Sequence, residues 1–376
     1  MRVAIFTESI PPLTDGVART FTRLAESLCR EGVDFRFFSP VEPAPRALKA
    51  RPWLGRVRLL PSFRLPLYRY YRIGLPFRPG LRRELEAFGP DLVHVCAPTP
   101  LEIWAQNYAL RRGLPLVSSY HTHFVSYFRY YHAASLEWAG WALLRWFHNR
   151  CLATYAPSPS ARALLQARGI RGARLWRRGI DTRRFSPRHA DKALRRRLSP
   201  DGRPLVLFVG RLVKEKNLLE LAEALARLSR RGLKFRPVFL GDGPLKAHLA
   251  GALPGALLPG FIEGEELSRF FASCDLFAFP STTETFGNVV LEAMASGLPV
   301  VGAAEGGVAD IVEPGRTGLL CRPRDPADLA EKIASVLKSP LLRRRLRAAG
   351  LKEAARHHWD AVNRVLISDY RAACAA

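Results

Sequence analysis

Two carboxylates in the stretch Thr283–Val301 lie on either side of a predicted helix start, where they could hold the hydroxyls of a sugar. Glu284 and Glu292 lie eight residues apart, with the sequence TFGNVVL between them. The apolar run Leu276–Phe279 before them predicts a buried strand, and Gly287-Asn288 predicts the start of a helix. The first carboxylate is therefore expected in a loop that follows a strand, and the second in the first turns of the next helix.

This arrangement suits a phosphorylated sugar. A glycine in the loop lets the backbone approach a ligand, and a helix start offers N–H donors and the positive end of the helix dipole. Carboxylates on either side can accept hydrogen bonds from sugar hydroxyls. The alternative is that Glu292 only complements the helix dipole and Glu284 is a solvated loop acid.

Two histidines, His121 and His123, follow a second predicted strand, Leu116–Ser119. Histidines two residues apart on an extended segment point the same way and could bind a metal, but the sequence offers no third ligand beside them. A single histidine at a strand end is more often structural than functional, so both interpretations of His121 stay open.

The elements that must position these residues alternate between strand and helix in both halves of the chain. The apolar runs that predict strands are Val3–Phe6, Val33–Phe38, Leu92–Val95, Leu116–Ser119, Leu152–Ala156, Leu205–Val209, Phe235–Leu240, Leu276–Phe279, Val300–Gly302 and Gly318–Cys321. Such alternation predicts parallel sheets covered by helices on both faces. Ligands bind such sheets beyond the carboxyl ends of the strands, where the candidate residues lie.

The pattern restarts after a turn-rich stretch at 183–203, which predicts two domains. We place the first at 1–185 and the second at 186–355, with a linker near 185–203. A last helical segment, about 356–376, is a candidate to pack back on the first domain.

A family resemblance sharpens this interpretation. Glu284 to Glu292 resembles the E-x7-E signature of retaining nucleotide-sugar glycosyltransferases of the two-Rossmann-domain (GT-B) type, family 4. Further motifs match in the family's order, and these are Asp15-Gly16, Tyr120-His121-Thr122, Gly179-Ile180-Asp181, Phe185-Ser186-Pro187, Gly210-Arg211 with Lys216, Gly241-Asp242-Gly243-Pro244 and Glu305-Gly306-Gly307. The resemblance covers almost the whole chain and is closest to the branch that transfers mannosyl, glucosyl or sulfoquinovosyl groups to membrane lipids. It implies two Rossmann-like domains that face a cleft.

The resemblance also implies roles for residues in the second domain. Arg211 and Lys216 would bind the diphosphate and stabilise the leaving group as it gains negative charge. Without the resemblance they would be read as an exposed pair at a helix end. Glu292 would bind the ribose and Glu284 the transferred sugar. The residues that would meet sugar and phosphates, largely through backbone groups, are Phe286, Gly287, Asn288 and Val289.

In the first domain the resemblance assigns two residues to the donor. Gly16 would leave room beside the phosphates, although it could equally be a loop glycine with positive φ. His121 would touch the sugar near its anomeric centre. Relatives often carry an acidic residue where this chain has His123, which leaves open any acceptor contact at that position.

The chemistry implied is transfer of a hexose from a UDP- or GDP-sugar with retention of the anomeric configuration. No D-x-D triplet occurs in the sequence, so we expect no metal and no other cofactor, with Arg211 and Lys216 replacing the cation. No obvious carboxylate nucleophile emerges, so the leaving phosphate oxygen is expected to deprotonate the acceptor hydroxyl on the same face.

The charge of the chain predicts an anionic partner. There are 58 basic and 33 acidic residues, a net charge of +25. The segment Pro43–Arg83 holds eleven basic residues and no acid, and aromatic residues are concentrated in it and in Val117–Phe147. Basic and aromatic side chains together suit an anionic membrane surface, and equally single-stranded nucleic acid. Trp138–Phe147 could also be an amphipathic core helix, and the arginines a solubilising surface of a thermophile protein.

We therefore expect a cytoplasmic enzyme, peripheral on the inner face of the plasma membrane, that glycosylates a glycolipid, diacylglycerol or phosphatidylinositol-type acceptor. The six scattered cysteines suit a reducing compartment, and no apolar run is long enough to span a membrane. Two alternatives stay open: the same chemistry on a soluble sugar phosphate or polysaccharide, and a non-enzymatic nucleic-acid-binding protein. The sequence identifies neither the sugar, the base nor the oligomeric state.

Overall fold

The computed structural model describes residues 1–13, 15–65, 68–121, 125, 135 and 137–375, with the backbone alone at 65 and 68–71. These residues form two compact units, and each is described separately. The first comprises the described residues of 1–125 and 135–178 together with 359–375; the second comprises Gly179–His358.

The first unit contains a seven-stranded parallel sheet. Its strands, and a separate antiparallel hairpin formed by β4 and β5, are β1 (Arg2–Phe6), β2 (Asp34–Ser39), β3 (Val57–Leu59), β4 (Ser62–Leu65), β5 (Tyr68–Gly74), β6 (Leu92–Val95), β7 (Leu116–Ser119), β8 (Ala153–Ala156) and β9 (Ala173–Leu175). The spatial order of the sheet is β3-β2-β1-β6-β7-β8-β9. Its inner strands are mainly apolar because helices cover both faces, and the buried polar residues on them include His94 on β6 and Ser119 on β7.

The helices of the first unit are, in chain order, α1 (Gly16–Arg30), α2 (Pro45–Ala50), α3 (Leu81–Phe88), α4 (Pro100–Arg111), α5 (Glu137–His148) and α6 (Pro159–Ala167). α1 buries Phe21, Leu24, Ala25 and Leu28, the stripe expected of an amphipathic helix. Asp15 caps it by accepting hydrogen bonds from the N–H groups of Val17 and Ala18, each 2.8 Å long.

The second unit has a six-stranded parallel sheet in the order β12-β11-β10-β13-β14-β15. The strands are β10 (Leu205–Val209), β11 (Arg236–Leu240), β12 (Leu257–Gly260), β13 (Leu276–Phe279), β14 (Val300–Ala303) and β15 (Gly318–Cys321). The helices are α7 (Lys192–Leu198), α8 (Leu218–Arg230), α9 (Lys246–Ala252), α10 (Gly264–Ser273), α11 (Asn288–Ala295), α12 (Gly306–Ile311), α13 (Pro326–Lys338) and α14 (Pro340–Arg356).

A last helix, α15 (Trp359–Ala375), belongs to the first unit. Leu366, Ile367 and Tyr370 are buried in the same core as Phe21 of α1. The amide of Asn363 donates hydrogen bonds of 3.0 Å to the Arg23 carbonyl and the Ser27 hydroxyl, and its oxygen accepts one from the Trp176 indole. These polar contacts fix the helix in one register against α1.

The stretch near 185–203, predicted from the sequence to be a linker, lies within the second unit. It contains α7, whose Leu194 and Leu198 are buried, and Arg195 pairs with Asp275 beside β13. Residues 179–185 also belong to the second unit, because the Ile180 N–H donates to the His357 carbonyl at 2.8 Å and Phe185 packs on Phe271. The units divide at 178/179 and 358/359, whereas the sequence placed the boundaries at 185/186 and 355/356.

Candidate functional site

Each sheet has one point where its chain connections diverge, and the candidate residues lie at these points. In the first unit the chain winds from β1 outward to β3, then returns to β6 on the other side. In the second it winds from β10 outward to β12 and returns to β13. Open parallel sheets bind ligands in the crevice at the carboxyl ends of such strands.

In the second unit, two loops meet at the point between β10 and β13. The buried Asn217, with φ of 53°, donates amide hydrogen bonds of 3.1 Å to the Pro280 carbonyl and the Thr282 hydroxyl. The Thr283 hydroxyl donates to the Glu215 carbonyl at 3.1 Å. These bonds hold the loop after β10 against the loop after β13 as one structure.

The two loops carry opposite charges. The Lys216 ammonium contacts the Glu284 carboxylate directly, and the Ser281 hydroxyl donates to the same oxygen at 3.2 Å. Both side chains are largely buried, 13% and 18% exposed. Arg211 is half exposed and approaches the fully buried Glu215 at 3.5 Å. Lys216 is thus paired with Glu284, the candidate for binding the sugar, whereas the Arg211 side chain is half exposed to solvent.

Helix α11 begins as the sequence predicts. Its N-cap is Gly287, with φ of 92°, and it has no side-chain cap. The N–H groups of its first turn, at Asn288 and Val289, are therefore suitably placed donors for an anion. Phe286 and Glu292 are buried, with Glu292 only 4% exposed.

The loop before α11 is held from the other side by α12. The Gly307 N–H donates to the Glu284 carbonyl at 2.8 Å. A Cβ at position 307 would lie 2.3 Å from the Phe286 Cα, so only glycine permits this approach. The Glu305-Gly306-Gly307 motif therefore fixes the position of the loop that carries Glu284.

Another glycine contact shapes the loop that carries Arg211. A Cβ on Gly241 would lie 1.9 Å from the Gly210 carbonyl oxygen, and one on Gly243 would lie 2.5 Å from the Leu212 carbonyl oxygen. The Leu212 N–H donates to the Asp242 carbonyl at 2.9 Å. The two loops after β10 and β11 therefore pack backbone against backbone.

In the first unit, Gly16 differs from the expected loop glycine. It is the exposed first residue of α1, and helical backbone has negative φ. Its small size still leaves space at a helix N-terminus. The neighbouring Asp15 is anchored by the Ser9 hydroxyl at 2.8 Å, which fixes the start of the helix.

His121 follows β7 and is partly buried among aromatic rings. Its ring centroid lies 5.2 Å from that of Phe21 and 5.8 Å from that of Trp176. Nε2 is 2.7 Å from the Ser119 hydroxyl, and Nδ1 is 2.9 Å from the Arg178 guanidinium. Burial, followed by the charge of Arg178, holds the pKa of His121 well below its usual range.

The metal interpretation of the two histidines is not addressed by this arrangement, because His123 lies outside the described residues. Within the described part of the chain, no group of three His, Cys, Asp or Glu side chains is placed to hold a metal ion.

A buried carboxyl pair lies beneath the same edge of the first sheet. The Thr99 hydroxyl donates to Glu8 at 2.6 Å, and Glu102 accepts from the N–H groups of Cys96 and of Ala97. Burial raises the pKa of Glu102 well above its usual range, and the neighbouring Glu8 raises it further. Sequence reasoning missed this pair, since its members are separated by 94 positions (102 − 8).

Helix α5 is amphipathic, with one face in the core of the first unit and aromatic side chains on the other face. Trp141, Leu144 and Phe147 are buried in the first unit, whereas Trp138 and Trp146 are 74% and 46% exposed. The helix is therefore a core helix that also presents apolar side chains to solvent. The first unit exposes other large apolar side chains, among them Phe77 and Leu152. No described helix is long and apolar enough to cross a membrane.

Known proteins resemble the chain over nearly its whole length. The family model for glycosyl transferases group 1 matches residues 190–353, and that for glycosyltransferase family 4 matches residues 14–184. A GDP-mannose-dependent alpha-mannosyltransferase of Mycobacterium tuberculosis is 38% identical over 322 residues, which cover 85% of this chain and 83% of that protein.

Two further matches come from other organisms. The sulfoquinovosyl transferase SQD2 of Arabidopsis thaliana is 34% identical over 372 residues, covering 96% of this chain and 71% of that protein. A solved structure of sucrose-phosphate synthase from Thermosynechococcus elongatus superposes with a TM-score of 0.79 at 23% identity, covering 98% of both chains. The last match concerns the fold alone.

Proposed function

The chain belongs to the group 1 glycosyltransferases and carries a family 4 amino-terminal domain; on that premise we propose that it moves mannose from GDP-mannose to a membrane lipid. The observation that carries the proposal is the Lys216–Glu284 contact where β10 and β13 diverge. In this proposal Lys216 would bind the diphosphate and Glu284, in contact with it, would bind the sugar. The name of the mannosyltransferase relative favours GDP-mannose among the UDP- and GDP-sugars.

In this proposal Lys216 and Arg211 neutralise the diphosphate as the glycosidic bond breaks. Both cations follow β10, and the uncapped first turn of α11 adds N–H donors. Preorganised donors of this kind stabilise charge that develops in a transition state, so the site supplies the function of a metal ion without one. The leaving phosphate oxygen then accepts the proton of the acceptor hydroxyl, and the acceptor oxygen bonds to the anomeric carbon on the face that the phosphate leaves, with retention of configuration.

The two glutamates would bind the other parts of the donor, which are the transferred sugar and the ribose. Glu284, held by Lys216 and Ser281, is placed to accept hydrogen bonds from hydroxyls of the sugar. Glu292 is buried within α11 and would accept from the ribose hydroxyls. Phe286 and Val289 flank the backbone groups that would meet the phosphates.

For the first unit we propose separate roles for Gly16 and His121. Gly16 opens α1 without a side chain, which leaves space for a phosphate. His121 is held by Ser119 and Arg178 at the end of β7 and would touch the sugar near its anomeric centre.

The donor assignment is tested by calorimetry without metal, titrating GDP, UDP and ADP into the wild type and Glu292→Ala. We expect GDP to bind and the variant to lose at least tenfold in affinity, about 1.4 kcal/mol. Glu331→Ala is the matched control, because Glu331 lies on α13 and contacts Arg231. If GDP does not bind, or binds the Glu292 variant equally well, the donor site is wrong.

The acceptor assignment rests on the exposed apolar and basic side chains of the first unit. Trp138, 74% exposed on α5, is the probe, and Leu341, 79% exposed on α14, is its control in the second unit. We expect flotation with anionic vesicles to fall in Trp138→Ala and to persist in Leu341→Ala. Absence of vesicle binding by the wild type would instead favour a soluble acceptor, and strong salt-sensitive DNA binding would favour the nucleic-acid alternative.

A further inference from the structure

Arg178 is a buried arginine, 3% exposed, and is the last residue of the first unit before the chain enters the second. One guanidinium nitrogen donates to the Trp176 carbonyl at 2.9 Å, and the guanidinium carbon lies 4.7 Å from the centroid of the Trp176 ring. The other terminal nitrogen is 2.9 Å from His121 Nδ1. Among the described residues no carboxylate forms an ion pair with it. Burying a charge in this way is costly, so the position calls for a functional explanation.

The contact with His121 has only one possible direction. Arginine carries donors and no acceptor, so Nδ1 of His121 must be the acceptor. A neutral imidazole that accepts at Nδ1 carries its hydrogen at Nε2, and that hydrogen points to the Ser119 hydroxyl 2.7 Å away. Both ring nitrogens are therefore assigned by the hydrogen bonds around them.

We propose that Arg178 is a positioning residue that holds His121 as the neutral tautomer with its hydrogen on Nε2. A second proton would have to bind Nδ1, where it would face the guanidinium donor and break the bond. Arg178 thus opposes protonation of His121 both as a positive charge and as a competing donor.

The other groups around the ring do not reverse this effect. Phe21 on α1 and Trp176 after β9 contact it as aromatic rings, and Ser119 on β7 is neutral. The titratable neighbours are His94 on β6 and His148 on α5, and burial lowers the pKa of each to about 3. Both are uncharged at neutral pH, so among the described residues that shift the pKa of His121, Arg178 is the one that carries a fixed charge.

The hydrogen-bond chain continues away from His121 to the last helix. The Ser119 hydroxyl lies 2.8 Å from His94 Nε2, and His94 Nδ1 contacts the Tyr370 hydroxyl on α15. Because the chain is buried, each member restricts the rotation of the next. The ring plane of His121 is therefore set from both sides, by Arg178 and by the Ser119–His94–Tyr370 series.

A neutral ring matters for the reaction proposed above, and its effect on catalysis rests on that proposed function. The transferred sugar gains positive charge in an oxocarbenium-like transition state. A cationic imidazole beside the anomeric centre would oppose that charge, whereas a neutral one would not. Arg178 would keep the His121 ring neutral at the acid end of the pH range in which the enzyme is active.

The decisive measurement is a nitrogen–proton NMR correlation spectrum of the full chain with labelled histidine, which reports the His121 tautomer without turnover. His121 signals are assigned with His121→Asn. In the wild type we expect the Nε2–H tautomer, without titration between about pH 5.5 and 8. In Arg178→Met we expect Nδ1–H to become populated, because the Ser119 hydroxyl can then donate to Nε2.

Control variants make the test specific. Arg177 is the exposed neighbour of Arg178, and Arg177→Met should leave the spectrum unchanged. Arg178→Lys keeps a donor and a charge and should keep the Nε2–H tautomer, and Ser119→Ala should keep it too. These two variants still test the proposal if Arg178→Met does not fold. An unchanged His121 signal in folded Arg178→Met, or a switch to Nδ1–H in Ser119→Ala, would overturn the proposal.

Activity provides a second, separate readout. For Arg178→Met we expect kcat to fall about tenfold, the effect of one lost hydrogen bond, with KM changed much less and an added loss of rate toward acid pH. A purely structural residue would lower the melting temperature without changing the tautomer or the pH profile. If the enzyme proposal fails, the spectrum still decides the role of Arg178.

Discussion

The two units use the same sheet position in opposite electrostatic ways. Where β10 and β13 diverge, the second unit brings full charges together, with Lys216 in contact with Glu284 and Arg211 near Glu215. Where β1 and β6 diverge, the first unit buries titratable groups whose pKa values are shifted toward the neutral form, His94 and Glu102 among them. The second unit therefore pairs full charges at its edge, whereas the first keeps His94 and Glu102 shifted toward their neutral forms near the buried charge of Arg178.

The difference follows from what each edge must do in the proposed reaction. A diphosphate carries negative charge into the second unit, so cations that are already oriented there need no reorganisation. The first unit must place a ring beside a sugar that becomes positive, where an additional charge would be harmful. Changing a charge should therefore affect chemistry in the second unit and pH dependence in the first.

The largest expected effect is that of Lys216→Met. Removing a preorganised donor from a site of developing charge costs about 100- to 1,000-fold in rate, so kcat with GDP-mannose should fall by that order. Lys214→Met is the control, because Lys214 lies in the same turn and is exposed. Equal rates for the two variants would show that the contact with Glu284 is only structural.

A smaller effect is expected when the loop that carries Glu284 is displaced without a change of charge. Gly307→Ala places a Cβ against the Phe286 backbone, and such overpacking costs about 1–3 kcal/mol. Urea unfolding and GDP titration should both register it. Gly251→Ala has open space around its Cβ within α9 and should be neutral or stabilising.

The smallest effect is a change in the pH dependence of stability. The folded pKa of Glu102 is raised above the unfolded value, so its stabilising contribution is present below about pH 4.5 and is lost as pH rises. Glu102→Gln cannot ionise, so its stability relative to wild type should increase from pH 4 to pH 8. Thermal unfolding across that range measures the trend.

Glu86→Gln gives the opposite sign in the same unit. Hydrogen bonding to Arg82, together with the charges of Arg112 and Arg82, lowers the pKa of Glu86. Its contribution is therefore present at neutral pH and lost in acid. Parallel curves for Glu86→Gln and Glu102→Gln would contradict the contrast between charged and neutral carboxyls.

The sequence predicted those features that produce a local pattern. All ten apolar runs correspond to strands, and nine of them are inner strands of a parallel sheet, which are mainly apolar on both faces; the tenth, β15, is an edge strand. β3, β9 and β12 were missed because each is a short edge strand, and β4 and β5 because arginines and tyrosines interrupt their apolar pattern. α7 was missed because Arg195, Arg196 and Arg197 conceal the buried Leu194 and Leu198.

The site was predictable to a similar degree. The order of Glu284, Gly287 and Glu292 is local, so their places in a loop and at a helix start could be inferred. The partners of His121 could not, since one arginine among many basic residues gives no signal that Arg178 is buried. Tyr370 meets His94 across 276 positions, a contact that no spacing rule anticipates.

The position of α15 has a consequence for a chain that ends before it. Residues 179–358 are continuous, whereas the first unit is completed only by residues 359–375. Until residues 359–375 are available, the first unit lacks Leu366, Ile367 and Tyr370 from its core, whereas residues 179–358 are all present. A released chain truncated after His358 should therefore resist proteolysis in the second unit and be cleaved in the first.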